Sequence, residues 1–143
     1  MPSQDRSVVL LVEDEPLVRL VTAELLAESG LRVIEAVNAA EALAVLESGL
    51  RVEVVLSDIE MPPGTDGFAL ARQIRKCWPK VEVLLTSGRQ WPREGDLPPG
   101  VAFLAKPCPT EILVQHVAAA ADRARAASAE TSAAKILPFP KSA

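Results

Sequence analysis

Tyrosine is absent from the 143 residues, aromatics make up 3%, and there are two cysteines and one histidine. The cysteines, Cys77 and Cys108, have neither disulfide nor metal spacing, so a disulfide scaffold and a cysteine-held metal are excluded and a reducing cytoplasm is the expected compartment. His116 stands alone at helical spacing on the last helix, and we assign it no chemistry. No apolar run approaches the ~18 residues of a membrane span, and Met1 to Arg6 lacks the basic flank and apolar core of a signal peptide. Net charge is −4 with no Lys/Arg-rich stripe, which speaks against nucleic acid and for protein partners. What remains is the balance of a globular chain, 49% hydrophobic and 24% charged. Its length suits a single domain that buries roughly two-thirds of its unfolded surface.

Short apolar runs alternate with helical patterns. Val8 to Val12 reads as a buried strand. Glu13-Asp14-Glu15 follows, then Pro16 in the first turn of a helix on which Leu17, Leu20, Val21, Glu24, Leu25 and Glu28 keep helical spacing until Gly30. A second strand is Arg32 to Ala36. Asn38 and Glu41 form a capping-box pattern opening a helix with Ala42, Leu43, Val45 and Leu46 on its apolar face, ended by Ser48-Gly49. Strand three is Glu53 to Ser57. After a loop at Met61 to Thr65, Asp66 is placed to cap a helix bearing Phe68, Ala71, Ile74 and Trp78, stopped by Pro79. Strand four is Val81 to Thr86 and strand five Val101 to Ala105. Gly88 to Gly100 between them holds three prolines and three glycines and reads as loop with at most one helical turn. A last helix runs from Thr110 to about Ala126, and 127–143 reads as a flexible tail. The expected organisation is a 1–6 extension, a 7–126 domain and that tail.

Five alternations with short connections imply an α/β fold: a five-stranded parallel sheet with helices on both faces, in the doubly wound, flavodoxin-like order 2-1-3-4-5. That order makes strands one and three neighbours. Glu13 and Asp14 then converge on Asp58, where the apolar run of strand three ends on a carboxylate. Clustered carboxylates either raise a pKa or bind a cation, and hard oxygens in a partly open site suit Mg²⁺. A carboxylate beside such a metal is a competent phosphoryl acceptor. Lys106, after strand five, supplies the opposing charge, and the hydroxyl of Ser87 or Thr86 can bond a phosphoryl oxygen.

In order along the chain, Glu13-Asp14, Asp58, Met61-Pro62, Asp66-Gly67, Ser87-Gly88 and Lys106-Pro107 resemble the receiver domain of bacterial two-component response regulators, over about residues 7 to 126. The resemblance implies that Asp58 is phosphorylated by a histidine kinase or histidine phosphotransfer protein, and that the domain promotes only its own phosphorylation and dephosphorylation. It implies Mg²⁺ on Asp14, Asp58 and the Glu60 carbonyl, with Glu13 through water. Lys106 would pair with the phosphoryl oxygen. Ser87, followed by the small Gly88, would be drawn inward, and Phe103 would turn into the space it leaves, with Thr86 as the alternative hydroxyl. Glu60 and Arg89 occupy places that in the family tune phosphoryl lifetime.

Two features depart from the family: a loop from Asp58 to Gly67 one residue longer than in the chemotaxis type, and a fourth-helix region, Arg89 to Pro99, that is short or loop-like. The expected function is a stand-alone cytoplasmic signalling module that acts on a downstream protein, without nucleic acid or membrane. A phosphorylation-independent interaction module is one alternative. An aspartate-nucleophile phosphohydrolase is another, weakened because Asp58-Ile59-Glu60 lacks the second Asp of Asp-x-Asp. Trp91 is expected half exposed, and Ile136-Leu137-Pro138-Phe139-Pro140 is a candidate docking peptide.

Overall fold

The computed structural model describes residues 6–61 and 66–136, with side chains of the last helix described to residue 128. The elements are β1 (Val8–Val12), α1 (Pro16–Glu28), β2 (Arg32–Ala36), α2 (Ala39–Glu47), β3 (Val54–Asp58), α3 (Gly67–Cys77), β4 (Glu82–Ser87), β5 (Val101–Ala105) and α4 (Thr110–Ile136). All strand pairs are parallel, in the order β2-β1-β3-β4-β5. This is the expected flavodoxin-like sheet.

Strand alternation divides the core in two. Leu10, Val12, Val55, Val83 and Leu85 face α2 and α3, where Ala42, Leu46, Ala71 and Ile74 meet them. Val9, Leu11, Val54, Leu56 and Leu84 face the other layer, where Ala23 and Leu26 of α1 and Val117, Ala120 and Ala121 of α4 cover them. Interior strand β1 is buried throughout, whereas edge strand β2 is buried only at Ala36.

Helix starts follow local chemistry. Glu15 caps α1, with Pro16 in its first turn. Asn38 Oδ1 accepts the Glu41 amide at 2.8 Å while Glu41 Oε1 accepts the Val37 amide at 2.9 Å. Asp66 Oδ1 accepts the Ala69 amide at 2.9 Å. Residues 88–100 contain no helix, so α3 is followed by β4, a loop, β5 and α4.

Two expectations are corrected. The last helix does not end near Ala126: α4 continues to Ile136. Ala127 to Ile136 is alanine-rich and meets no Gly or Pro, the residues that would end it. The strand ends shift by one residue, with Asp58 closing β3 and Ser87 closing β4. The helical spacing on α1 is present as expected, and Leu17, Leu20 and Val21 on it are 66%, 52% and 49% exposed. Residues 1–5 of the extension, the inserted loop residues Pro63-Gly64-Thr65, and Leu137 onward of the candidate docking peptide lie outside the described residues.

Candidate functional site

The sheet brings four strand ends to one edge. Val12 pairs with Ser57, so the residues that follow, Glu13 and Asp58, leave adjacent strands side by side. Asp58 pairs with Thr86, and Ser87 with Ala105, which sets Lys106 at the same edge. Carboxylate oxygens of Glu13, Asp14 and Asp58 all lie within 4.8 Å of one another. Lys106 Nζ stands 3.4 Å from Asp58 Oδ2 and 3.5 Å from Glu13 Oε1, bridging the two less exposed acids.

Backbone contacts hold this arrangement. The Glu60 amide donates to Asp58 Oδ1 at 3.3 Å and the Glu15 amide to Glu13 Oε2 at 3.2 Å. The Ile59 amide bonds Thr86 O and the Gly67 amide bonds Ile59 O, each at 2.9 Å, so α3 starts directly against the end of β3 that carries Asp58. At Gly67 a Cβ would lie 2.7 Å from Asp58 O, which explains the need for glycine there. The Lys106–Pro107 peptide is cis, and the Lys106 amide donates to Ser87 O at 2.9 Å.

Glu13 and Asp58 both hold their protons to higher pH than ordinary carboxyls do. Burial is the main cause for each, and the Lys106 ammonium and a backbone amide oppose it. Neighbouring carboxylates add to the rise: Asp58 and Asp14 act on Glu13, and Glu60 acts on Asp58. This donor set fits Mg²⁺: hard oxygens from three carboxylates, one buried, one partly buried and one exposed, leave room for the waters that ion retains.

The structure gathers Glu13, Asp14, Asp58 and Lys106 as expected. Ser87 is treated differently. Its hydroxyl donates to the Glu60 carboxylate at 2.6 Å and accepts the amides of Arg89 at 3.1 Å and Gln90 at 2.9 Å, in a residue that is itself buried. The neighbouring hydroxyl of Thr86 belongs to a residue that lines the groove beside Asp58 and Lys106. The Glu60 side-chain contact has no signal in the sequence, since the two residues are 27 positions apart and only the sheet joins them. Phe103, at the middle of β5, is partly buried, packed on the α2/α3 core and against Trp91, with ring centroids 5.7 Å apart and planes at 56°. Trp91 is 72% exposed, more than the half exposure expected. Cys77 is exposed and Cys108 partly buried, both as free thiols.

The sequence profile of the response regulator receiver domain matches residues 9–118. The chain belongs to that family. The sensor kinase CckA of Brucella abortus is 42% identical over 81 residues, 56% of this chain, and the matched segment spans 8% of CckA. A response regulator receiver protein from Sinorhizobium medicae superposes with a TM-score of 0.76 at 26% identity, over 85% of this chain and 98% of that one. TrrA of Thermotoga maritima, solved with Mg(2+)-BeF, gives 0.70 at 28% identity over 80% and 98%. Receivers are phosphoacceptor signalling domains of two-component systems and not conventional enzymes, and the acidic cluster here is consistent with their Mg²⁺ pocket. Among the described residues no helix is long and apolar enough to cross a membrane.

Proposed function

We propose that this receiver accepts a phosphoryl group on Asp58 from a phosphohistidine of a histidine kinase or histidine phosphotransfer protein and passes the signal on by protein contact. The observation that carries the reading is the ammonium of Lys106 bridging Asp58 and Glu13 at the carboxyl edge of the sheet. An Asp58 carboxylate oxygen attacks phosphorus, the phosphorus–nitrogen bond breaks, and the imidazole leaves with the bond's electron pair. Lys106 balances the charge that accumulates on the phosphoryl oxygens. Mg²⁺, held by Asp14, Asp58 and the Glu60 carbonyl with Glu13 through water, would supply Lewis-acid polarisation of those oxygens. The Ser87 hydroxyl and Phe103 form the switch, with Thr86 as the alternative hydroxyl.

The kinase partner is supported by the kinship to a sensor kinase and by the surface next to the site. Leu17, Val18, Leu20 and Val21 are exposed on α1, and Val18 also lines the open groove of about 520 Å³ that contains Asp58. An apolar patch rimmed by the acidic site suits a helical partner presenting a histidine. A net charge of −4 favours protein over nucleic acid as the downstream target.

Intact-protein mass after incubation with Mg²⁺ and acetyl phosphate tests the reading. One phosphoryl mass is expected on the wild type, with none on Asp58→Asn and none in chelator. Equal labelling of Asp58→Asn would place the acceptor elsewhere and overturn the assignment.

A further inference from the structure

The Ser87 hydroxyl has one proton to donate and two lone pairs, and the resting structure uses all three. The proton goes to Glu60 Oε2 at 2.6 Å, the length of a charge-assisted bond, and the lone pairs take the Arg89 and Gln90 amides. A phosphoryl oxygen on Asp58 can receive that proton only after Glu60 gives it up. We propose that the Glu60 carboxylate is a positioning residue that competes with the phosphoryl group for the Ser87 hydroxyl, and so sets how far phosphorylation shifts this chain out of its resting state. The proposal rests on the phosphoacceptor reading of Asp58.

Geometry favours exchange of one anion for the other. Glu60 is tied to the acceptor through its own amide on Asp58 Oδ1, so its carboxylate stays within reach of both groups. It lines an open groove with Asp14, Arg89 and Lys106, where water can solvate the carboxylate once it is released. A phosphoryl group adds roughly −1.5 to −2 charges beside it and repels it. Movement of the hydroxyl also carries the Arg89 and Gln90 amides, hence the start of the loop whose Trp91 rests on Phe103. One hydroxyl thereby joins the acceptor site to the long loop between β4 and β5.

Calorimetric titration of the full chain with beryllofluoride, a phosphoryl analogue, at fixed Mg²⁺ tests this. Glu60→Ala should bind on the order of tenfold tighter than wild type, as expected for losing a competing hydrogen bond to a charged group. Glu60→Gln should fall between. In a Ser87→Ala background the gain from Glu60→Ala should shrink below about twofold. A gain of equal size in that background would show simple charge repulsion, and no gain or weaker binding in Glu60→Ala would remove the competition altogether; either result overturns the proposal. Wild-type binding that is absent, or equal in Asp58→Asn, would instead overturn the phosphoacceptor reading and the proposal with it.

Discussion

Replacing Asp58 by asparagine should stabilise the metal-free protein while abolishing its proposed function. The carboxylate oxygens of Glu13, Asp14 and Asp58 lie within 4.8 Å of one another. At an effective dielectric of about 20, each pair at that separation repels by about 3.5 kcal/mol, so Asp58 faces about 7 kcal/mol from its two neighbours. The Lys106 ammonium at 3.4 Å returns at most about 5 kcal/mol of attraction before solvent screening. The net is a penalty of about 2 kcal/mol before screening; the exposure of Asp14 and of Lys106 weakens repulsion and attraction alike, and the burial of Asp58 adds to the penalty, leaving about 1–2 kcal/mol. The asparagine amide keeps the volume of the carboxylate and loses its charge, so Tm in chelator at neutral pH should rise by about 2–8 °C. The sign depends on pH. Asp58 and Glu13 hold their protons more tightly folded than unfolded, so the folded chain binds more protons once pH exceeds the ordinary carboxyl value of about 4. Wild-type stability therefore falls as pH rises from there through the raised folded values, and the penalty is complete once pH has passed them. The advantage of Asp58→Asn should close as pH is lowered to about 4. Thermal unfolding followed by circular dichroism in chelator at both pH values checks this, and an unchanged or lower Tm for Asp58→Asn at pH 7 would refute the account of a strained acidic cluster.

Lys106→Ala removes the counter-charge shared by Asp58 and Glu13 and should lower Tm in chelator by the equivalent of about 1 kcal/mol, a figure discounted because the lysine side chain is 36% exposed. Saturating Mg²⁺ should recover most of that loss, and an equal loss with and without Mg²⁺ would show that packing and not charge is at stake. Gly67→Ala forces a Cβ to 2.7 Å from Asp58 O and from Ile59 Cα, both backbone atoms, and should cost about 1–3 kcal/mol in urea unfolding and slow acetyl phosphate labelling of Asp58. An unchanged urea midpoint would mean that the loop beneath the acceptor yields freely.

Much of this architecture is legible in local sequence because the forces concerned act over three or four residues. Asn38 with Glu41, and Asp66 before Gly67, open α2 and α3 where their side chains meet amides one turn on. Pro16 and Gly30 bracket α1, and the proline- and glycine-rich stretch 88–100 carries no helix. Alternation of short apolar runs with helical patterns marks a parallel sheet with crossovers of one hand, for which 2-1-3-4-5 is a common doubly wound order. From that order the meeting of Glu13, Asp14, Asp58 and Lys106 follows.

Other features depend on partners distant in sequence, and the chain alone does not name them. The exposure of Leu17, Leu20 and Val21 is one case: α1 packs Ala23 and Leu26 on the sheet, and helical spacing reports a stripe without saying which way it faces. The continuation of α4 to Ile136 is another, because an alanine-rich segment carries no apolar stripe to separate helix from tail. The bond from Ser87 to Glu60 is the third. Sequence by itself determined which side chains stand at the ends of the strands, because strand type and length are set locally; only the tertiary structure decided which of them share a proton, because that follows from the register between β3 and β4 and from rotamers settled by packing around it.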